Sequence, residues 1–326
     1  MYRLAKAGWI ATLISISLLT AVGCRSEGNE HSSLTGRLWS TSLSLETKKG
    51  AEIADLSGGH AELLPGLNEA VPSPNGEHFV TTALSDGSTV VKIHNTDTKE
   101  VEVNASLGGY LKAVWPSPAN KNVLLGIWSK DLLSSEYYVF LDLSTSPVSM
   151  LDAVVKNGVA VDWLPDGRYV VVGRDGTVSE ATVGSAALKT GKFTPPSHME
   201  VAGLKVSPNA KQMTIRFWHK NAAGNVDSSD LWIADLDGAR FERLTDTGIS
   251  SFAHWSPDSR FLAFDKDEGT VCSGGGCIGT CSVWYAPATR RSIKALPSSG
   301  DASRFTVTNS RGNKAILGCH LSGWTP

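Results

Sequence analysis

The chain has 326 residues, 41% of them hydrophobic and 19% charged, with a formal net charge of -2. That is ordinary globular composition with apolar residues enough for a sizeable core, and the balanced charge leaves no basic footprint for nucleic acid. The 32 glycines and the recurring Asp-Gly and Asn-Gly pairs lean towards β-structure joined by tight turns.

Arg3 and Lys6 form a basic start, and Trp9 to Val22 is an apolar run too short for an ordinary spanning helix. Residues 1–23 therefore read as an export signal. Ala21-Val22-Gly23-Cys24 sets a cysteine directly after small residues and resembles a bacterial lipobox. The resemblance implies that Cys24 is the lipidated first residue of the mature chain and its attachment to a membrane. Ala21 stands where the motif usually has Leu, and a cleaved signal with a coincidental cysteine is the alternative reading. Arg25 occupies the place of the aspartate that retains lipoproteins at the inner membrane, so for a host with two membranes the resemblance implies the outer one, facing the periplasm or the cell surface. Residues 24–36 read as a flexible tether, which leaves the folded domain to 37–326.

From there one pattern recurs: an apolar run, a turn on proline, and a second apolar run. The turns are Ser73-Pro74-Asn75-Gly76, Ser117-Pro118-Ala119-Asn120, Leu164-Pro165-Asp166-Gly167, Ser207-Pro208-Asn209-Ala210 and Ser256-Pro257-Asp258-Ser259. Proline fixes one backbone dihedral and the small polar residues favour the bend, so each turn joins two strands tightly. A degenerate sixth copy is read at Asn309-Ser310-Arg311-Gly312; successive anchors lie 44, 47, 43, 49 and 53 residues apart. A period in the forties with strands throughout marks propeller blades. A second half-unit follows each of the first five turns, clearest at Asp230 to Asp246, and one more precedes all of them at Leu38 to Leu56, while the C-terminal copy lacks its own. The expectation is an all-β, six-bladed propeller of four-stranded blades. Its last blade is closed by the N-terminal half-unit as outer pair and Phe305 to Cys319 as inner pair.

The two half-motifs, WSPDSRFLAF and DLWIADLDGARFERLTD, resemble the repeat of the TolB-like six-bladed β-propellers over roughly Leu38 to Cys319. The resemblance implies that fold and a role in partner docking. TolB itself carries an additional N-terminal α/β domain, where this sequence is expected to have only a short tether and a lipid.

In such a blade the loops between second and third strands lie on the face opposite the proline turns. Ile127 to Glu136, Phe217 to Asp230 and Asp265 to Cys281 are the long ones, and long loops on a rigid scaffold are where binding concentrates. Two of them open alike, with Trp128 and Trp218 each ten residues after a turn proline and followed by Lys130 and Lys220. These four are candidate partner contacts, the alternative being packing against neighbouring blades. Trp163 and Trp255, with Trp115 one place earlier, hold a repeated position and read as core, as do Trp39, Trp232 and Trp284 in third strands.

The residue three before each turn proline is expected near the axis: Val71, Trp115, Asp162, Lys205, His254 and Val307. Asp162, Lys205 and His254 would line one channel and bind a small polar ligand, seat acid–base chemistry, or simply face water. Cys272, Cys277, Cys281 and Cys319 read as disulfide candidates in an exported protein, since their spacing fits no paired zinc motif. No metal or cofactor is expected. Asp265-Lys266-Asp267-Glu268 reads as a solvated acidic turn. The function expected is a non-catalytic envelope lipoprotein binding a protein or cell-wall-associated partner through its long-loop face. A propeller hydrolase or lactonase at the channel, and a small-ligand sensor, are the alternatives.

Overall fold

The computed structural model describes residues 34–42, 50–57, 60–67, 69–108, 110–118, 122–128, 136–142, 144–145, 149–152, 158–273, 276–294, 302–308, 314–317 and 320–326. Residues 1–23, expected from sequence to be an export signal, and Cys24 lie outside them. Every element described is a strand, and six antiparallel sheets surround one axis as a six-bladed β-propeller.

The N-terminal strands β1 (Arg37–Ser42), β2 (Gly50–Asp55) and β3 (His60–Pro65) belong to the closing blade. The first full blade is β4 (Val71–Pro72), β5 (His78–Ser85), β6 (Ser88–Asn95) and β7 (Val101–Gly108). The second is β8 (Tyr110–Pro116), β9 (Asn122–Trp128), β10 (Glu136–Asp142) and β11 (Ser149–Asp152). The third is β12 (Gly158–Trp163), β13 (Tyr169–Gly173), β14 (Thr177–Ala181) and β15 (Leu188–Lys192). The fourth is β16 (Glu200–Val206), β17 (Gln212–Lys220), β18 (Val226–Asp235) and β19 (Glu242–Arg243). A short strand β20 (Thr245–Asp246) leads into the fifth, made of β21 (Ser250–Trp255), β22 (Phe261–Ser273), β23 (Gly276–Pro287) and β25 (Ser303–Arg304). Between the last two, β24 (Ile293–Lys294) pairs with β20 in parallel and ties the outer edges of neighbouring blades.

Strand two of a blade is buried on both sides, and its alternation divides side chains between two neighbours. In β13, Val170 and Val172 pack towards the fourth blade and Tyr169 and Val171 towards the second. Repeated round the ring, this yields six apolar clusters among the described residues, one per blade interface. The apolar run after each proline turn is therefore a strand buried on both faces.

The turn serine has a specific role. Ser256 Oγ accepts the Phe261 N–H at 2.9 Å and lies 2.6 Å from Asp258 Oδ1, and Ser73 and Ser207 plug their turns in the same way. The fourth turn residue is left-handed in each case described, with φ 74° at Gly76, 85° at Gly167, 54° at Ala210 and 60° at Ser259.

The closing blade corrects the sequence expectation in detail. Its inner strand is β28 (Leu321–Thr325), paired antiparallel with β1, so one C-terminal strand and three N-terminal strands make the blade. The Phe305 to Cys319 segment supplies a hairpin of β26 (Thr306–Thr308) and β27 (Lys314–Ile316) instead. That hairpin lies at the outer edge, meeting β3 at Thr308 and His60. Trp324-Thr325-Pro326 is thus the sixth anchor, in the register of Trp255-Ser256-Pro257, because Leu38 faces Trp324 as Leu262 faces Trp255. Trp39 follows as a second-strand residue, not a third-strand one. Gly36 (φ 95°) approaches so closely that a Cβ there would stand 2.2 Å from the Thr325 carbonyl oxygen. Only glycine fits the seam between the two ends of the propeller.

Candidate functional site

The inner strands converge on a cavity of about 320 Å³ at the axis. Its rim is built from the six turn prolines, Pro74, Pro118, Pro165, Pro208, Pro257 and Pro326, so it opens on the turn face. Val71, Trp115, Asp162, Lys205 and His254 line it as the repeat position requires. The sixth lining residue is Gly323 rather than Val307, which packs in the cluster between the fifth and closing blades. Gly323 carries no side chain because Pro72 of the first blade already fills that space; an added Cβ would meet Pro72 Cγ at 2.2 Å.

The three polar residues of this belt join blades. Asp162 of the third blade accepts the Val206 N–H of the fourth at 2.8 Å, and its other oxygen is 3.4 Å from Lys205 Nζ. Burial pushes the Asp162 carboxyl up, and the Lys205 ammonium and Val206 amide oppose that shift. His254 of the fifth blade donates from Nε2 to the Leu321 carbonyl of the closing blade at 3.2 Å. Burial, then the Lys205 charge, hold its imidazole well below 6.5, so it is neutral. The belt is an ion pair beside a neutral imidazole, each tied to the next blade. One residue nearer the prolines, Trp163 Nε1 donates to the Trp115 carbonyl at 2.8 Å and Trp255 Nε1 to the Lys205 carbonyl at 3.0 Å. Indole to the carbonyl three before the preceding turn proline is one repeated joint.

On the opposite face, two of the expected loops are strands. Phe217 to Asp230 is the paired end of β17 and β18 around a short turn, and Asp265 to Cys281 continues the β22–β23 ladder as far as Ser273 facing Gly276. The third lies mostly outside the described residues. Trp128 and Trp218 do occupy one repeat position, pairing in backbone with Tyr110 and Glu136, and with Glu200 and Ser229, respectively. The Trp128 side chain and all of Lys130 are outside the described residues. Trp218 is half-buried between two cations, the Arg216 guanidinium 5.3 Å and the Lys220 ammonium 5.0 Å from its ring. Its Nε1 lies 3.4 Å from Glu200 Oε2, which also takes Lys220 Nζ at 3.0 Å. Lys220, first, and Trp218 hold the Glu200 carboxyl below its ordinary value.

Cys272 faces Cys277 across the end of the β22–β23 ladder. Cys281 is half-buried and disulfide-bonded. The sulfur that completes this bond, the side chains of Cys272 and Cys277, and all of Cys319 are outside the described residues. Among the described residues no group of three His, Cys, Asp or Glu side chains is placed to hold a metal ion.

Sequence reasoning missed a second polar cluster. The expected acidic turn at Asp265 is the interior of β22, and Asp265 is 3% exposed. Its Oδ2 accepts the Leu321 N–H at 3.1 Å while Oδ1 has no hydrogen-bond partner among the described residues, and burial pushes the carboxyl up to about 8 against the opposing Leu321 and His320 amides. Arg216 donates from Nε to Ser229 Oγ at 2.8 Å and stacks on Phe252 at 5.2 Å. Desolvation lowers its guanidinium to about 10, so it stays charged at neutral pH. The available signal was an arginine interrupting the apolar run Met213 to Trp218.

No protein-family model matches the chain, and no curated protein matches it. Among solved structures, TolB from Acinetobacter baumannii is similar, with a TM-score of 0.52 and 15% identity over 80% of this chain and 65% of that one. This chain thus spans just under two thirds of that TolB. Hsv2p from Kluyveromyces lactis matches with a TM-score of 0.46 and 12% identity, over 73% and 68% of the two chains. An uncharacterized Listeria monocytogenes protein matches with a TM-score of 0.45 and 8% identity, over 90% and 87%. The TolB likeness agrees with the six blades and shows a TolB-like propeller fold.

Proposed function

We propose that this chain is a non-catalytic binding protein of the cell envelope, lipid-anchored through Cys24, whose propeller takes a segment of an envelope protein or cell-wall-associated partner at the axial mouth of the turn face. The observation that carries the reading is the cavity of about 320 Å³ rimmed by six prolines, with Trp115, Trp163, Trp255 and Trp324 beneath them. Such a rim is rigid, so a partner group enters without a large ordering cost. Asp162 and His254 are committed to neighbouring blades, which supports docking rather than acid–base turnover. Trp218, engaged by Glu200 and stacked between cations, is a weaker anchor than its sequence position suggested. The export-like residues 1–23, the lipobox resemblance and the TolB-like fold support the envelope location. In this reading a disulfide joins Cys281 to Cys319.

A photoreactive residue in place of Pro208, on the mouth, is compared in intact cells with one in place of Asn225, at the turn joining β17 and β18 on the opposite face. A discrete adduct from the Pro208 site alone is expected. Adducts from the Asn225 site alone, or from neither, would remove the assignment. Release of a folded Cys24→Ala variant into the soluble fraction tests the anchor.

A further inference from the structure

A second cavity, of about 250 Å³, lies on the far side of the polar belt, towards the β17–β18 turn face. It shares Trp115, Lys205 and His254 with the first, and adds Thr214, Arg216 and Phe252 among aliphatic side chains of three blades. The backbone register explains the grouping. Thr214 and Arg216 are two apart on β17 and so share a face, and Thr214 pairs across the strand with Lys205 while Arg216 pairs with Gly203. Gly203 has no side chain to cover the guanidinium stem, and the wall stays open beside it.

The wall is electropositive and unsatisfied. It holds Lys205 and Arg216 and no carboxylate among the described residues. Lys205 is paired with Asp162, but Arg216 has only its Nε bond to Ser229 among the described residues, and its two terminal nitrogens have none. The carboxyl whose charge bears on Arg216 is Asp265, and burial raises it to about 8. Thr214 is 2% exposed and lines the cavity, and its buried hydroxyl has no partner among the described residues. Buried hydroxyls and guanidinium forks are normally satisfied, so a group that completes both is what this wall is short of. Phe252 adds a further mark: it is held at φ 47° and is 41% exposed, with its ring against Arg216.

We propose that this cavity binds a small organic carboxylate. The Arg216 fork and the Thr214 hydroxyl take the carboxylate, and the carbon skeleton lies against Phe252 and the aliphatic wall. Bidentate capture of a planar anion is what a guanidinium does best, and the apolar lining favours a carbon skeleton over inorganic phosphate. The volume is below that of sites for drug-sized ligands, which limits the ligand to metabolite size. The site is independent of the axial mouth, and neither assignment rests on the other.

The test is the melting temperature of the full chain titrated with lactate, succinate and benzoate, each against its amide, at constant ionic strength. A saturable rise with at least one carboxylate and none with the matched amide is expected. Thr214→Val keeps the shape and removes a hydroxyl that has no partner among the described residues, so this variant is expected to fold and to weaken the effective carboxylate about fivefold to tenfold. Arg216→Gln is expected to abolish the shift. No saturable shift with any of the three carboxylates, an equal shift with the amide, or unchanged affinity in Thr214→Val would overturn the proposal. An equal saturable shift with inorganic phosphate would overturn the choice of an organic ligand.

Discussion

The indole of Trp255 donates to the carbonyl oxygen of Lys205, 3.0 Å away and 50 residues earlier in the chain. Trp163 makes the same bond to Trp115 two blade interfaces earlier. The joint fixes the height of one inner strand against the next and holds Lys205 where its ammonium meets Asp162. Trp255→Phe keeps most of the buried area but orphans a buried carbonyl. A loss of about 1–2 kcal/mol is expected, read as a lower denaturant midpoint at unchanged slope. An unchanged midpoint would mean that the bond is replaced by water at no cost.

Asp265 and His254 should divide the pH dependence between them. The carboxyl of Asp265, ordinarily at 3.8, is raised to about 8 in the fold, with Arg216 the facing cation that opposes the shift. The folded chain therefore keeps a proton that the unfolded chain gives up. Stability from this group is complete below about pH 4 and is lost as pH climbs towards 8. His254 acts in the opposite sense: held well below 6.5, it stays neutral in the fold, while the unfolded chain takes a proton as pH falls through 6.5. Above 6.5 only the carboxyls remain, Asp265 together with Asp162, which burial also raises. Wild type should melt lower at pH 8 than at pH 6.5, and Asp265→Asn, which keeps an acceptor for the Leu321 amide, should show a smaller drop. Equal drops in thermal melts would show that Asp265 ionises normally.

On the acid side, His254→Gln should become steadily more stable relative to wild type as pH falls below 6.5, since the amide keeps a donor for the Leu321 carbonyl and takes up no proton. A constant offset between the two melting curves across that range would refute the assignment of a depressed imidazole.

Thr214→Val should leave the ligand-free protein as stable as wild type or more so, by up to about 1 kcal/mol, because it removes a buried hydroxyl without a partner among the described residues. Chemical denaturation decides it, and clear destabilisation would show that a bound water satisfies the hydroxyl.

Gly323→Ala should destabilise by roughly 2 kcal/mol, since its Cβ would overlap the Pro72 ring at the axial mouth. Under the docking proposal it should also weaken partner capture. Capture equal to wild type in a folded Gly323→Ala protein would argue against the mouth as the site.

The blade repeat was readable because turn chemistry is local. Proline, the plugging serine and the left-handed fourth residue leave a mark within four positions, and five anchors could be aligned from it. The sixth was misplaced because an inserted outer hairpin separates Trp324-Thr325-Pro326 from Pro257, and because the turn after Pro326 is made by a non-covalent return at Gly36. Asp162, Lys205 and His254 were placed together correctly, since position in the repeat dictates height along the axis. Arg216, Thr214 and Asp265 were not, because the partner across a blade interface comes from a different repeat. Asp265 in particular was disguised by the charged residues after it, whose ladder extends further than any apolar pattern indicates.

The seam between β1 and β28 has a mechanical consequence. Arg37 pairs with Thr325 at the very end of the ladder, next to the point where the chain enters β1. A load applied through the segment before Leu34 would reach that pair first and then Leu38 with Trp324, one rung at a time, as a zipper opens rather than as a lap joint shears. The other five blades join inner strand to second strand through a covalent turn, so the ring should yield to tension at this blade before any other. Splicing Pro326 to Leu34, with new ends cut at the β17–β18 turn, should give a permuted chain that keeps every inner pairing and resists such peeling.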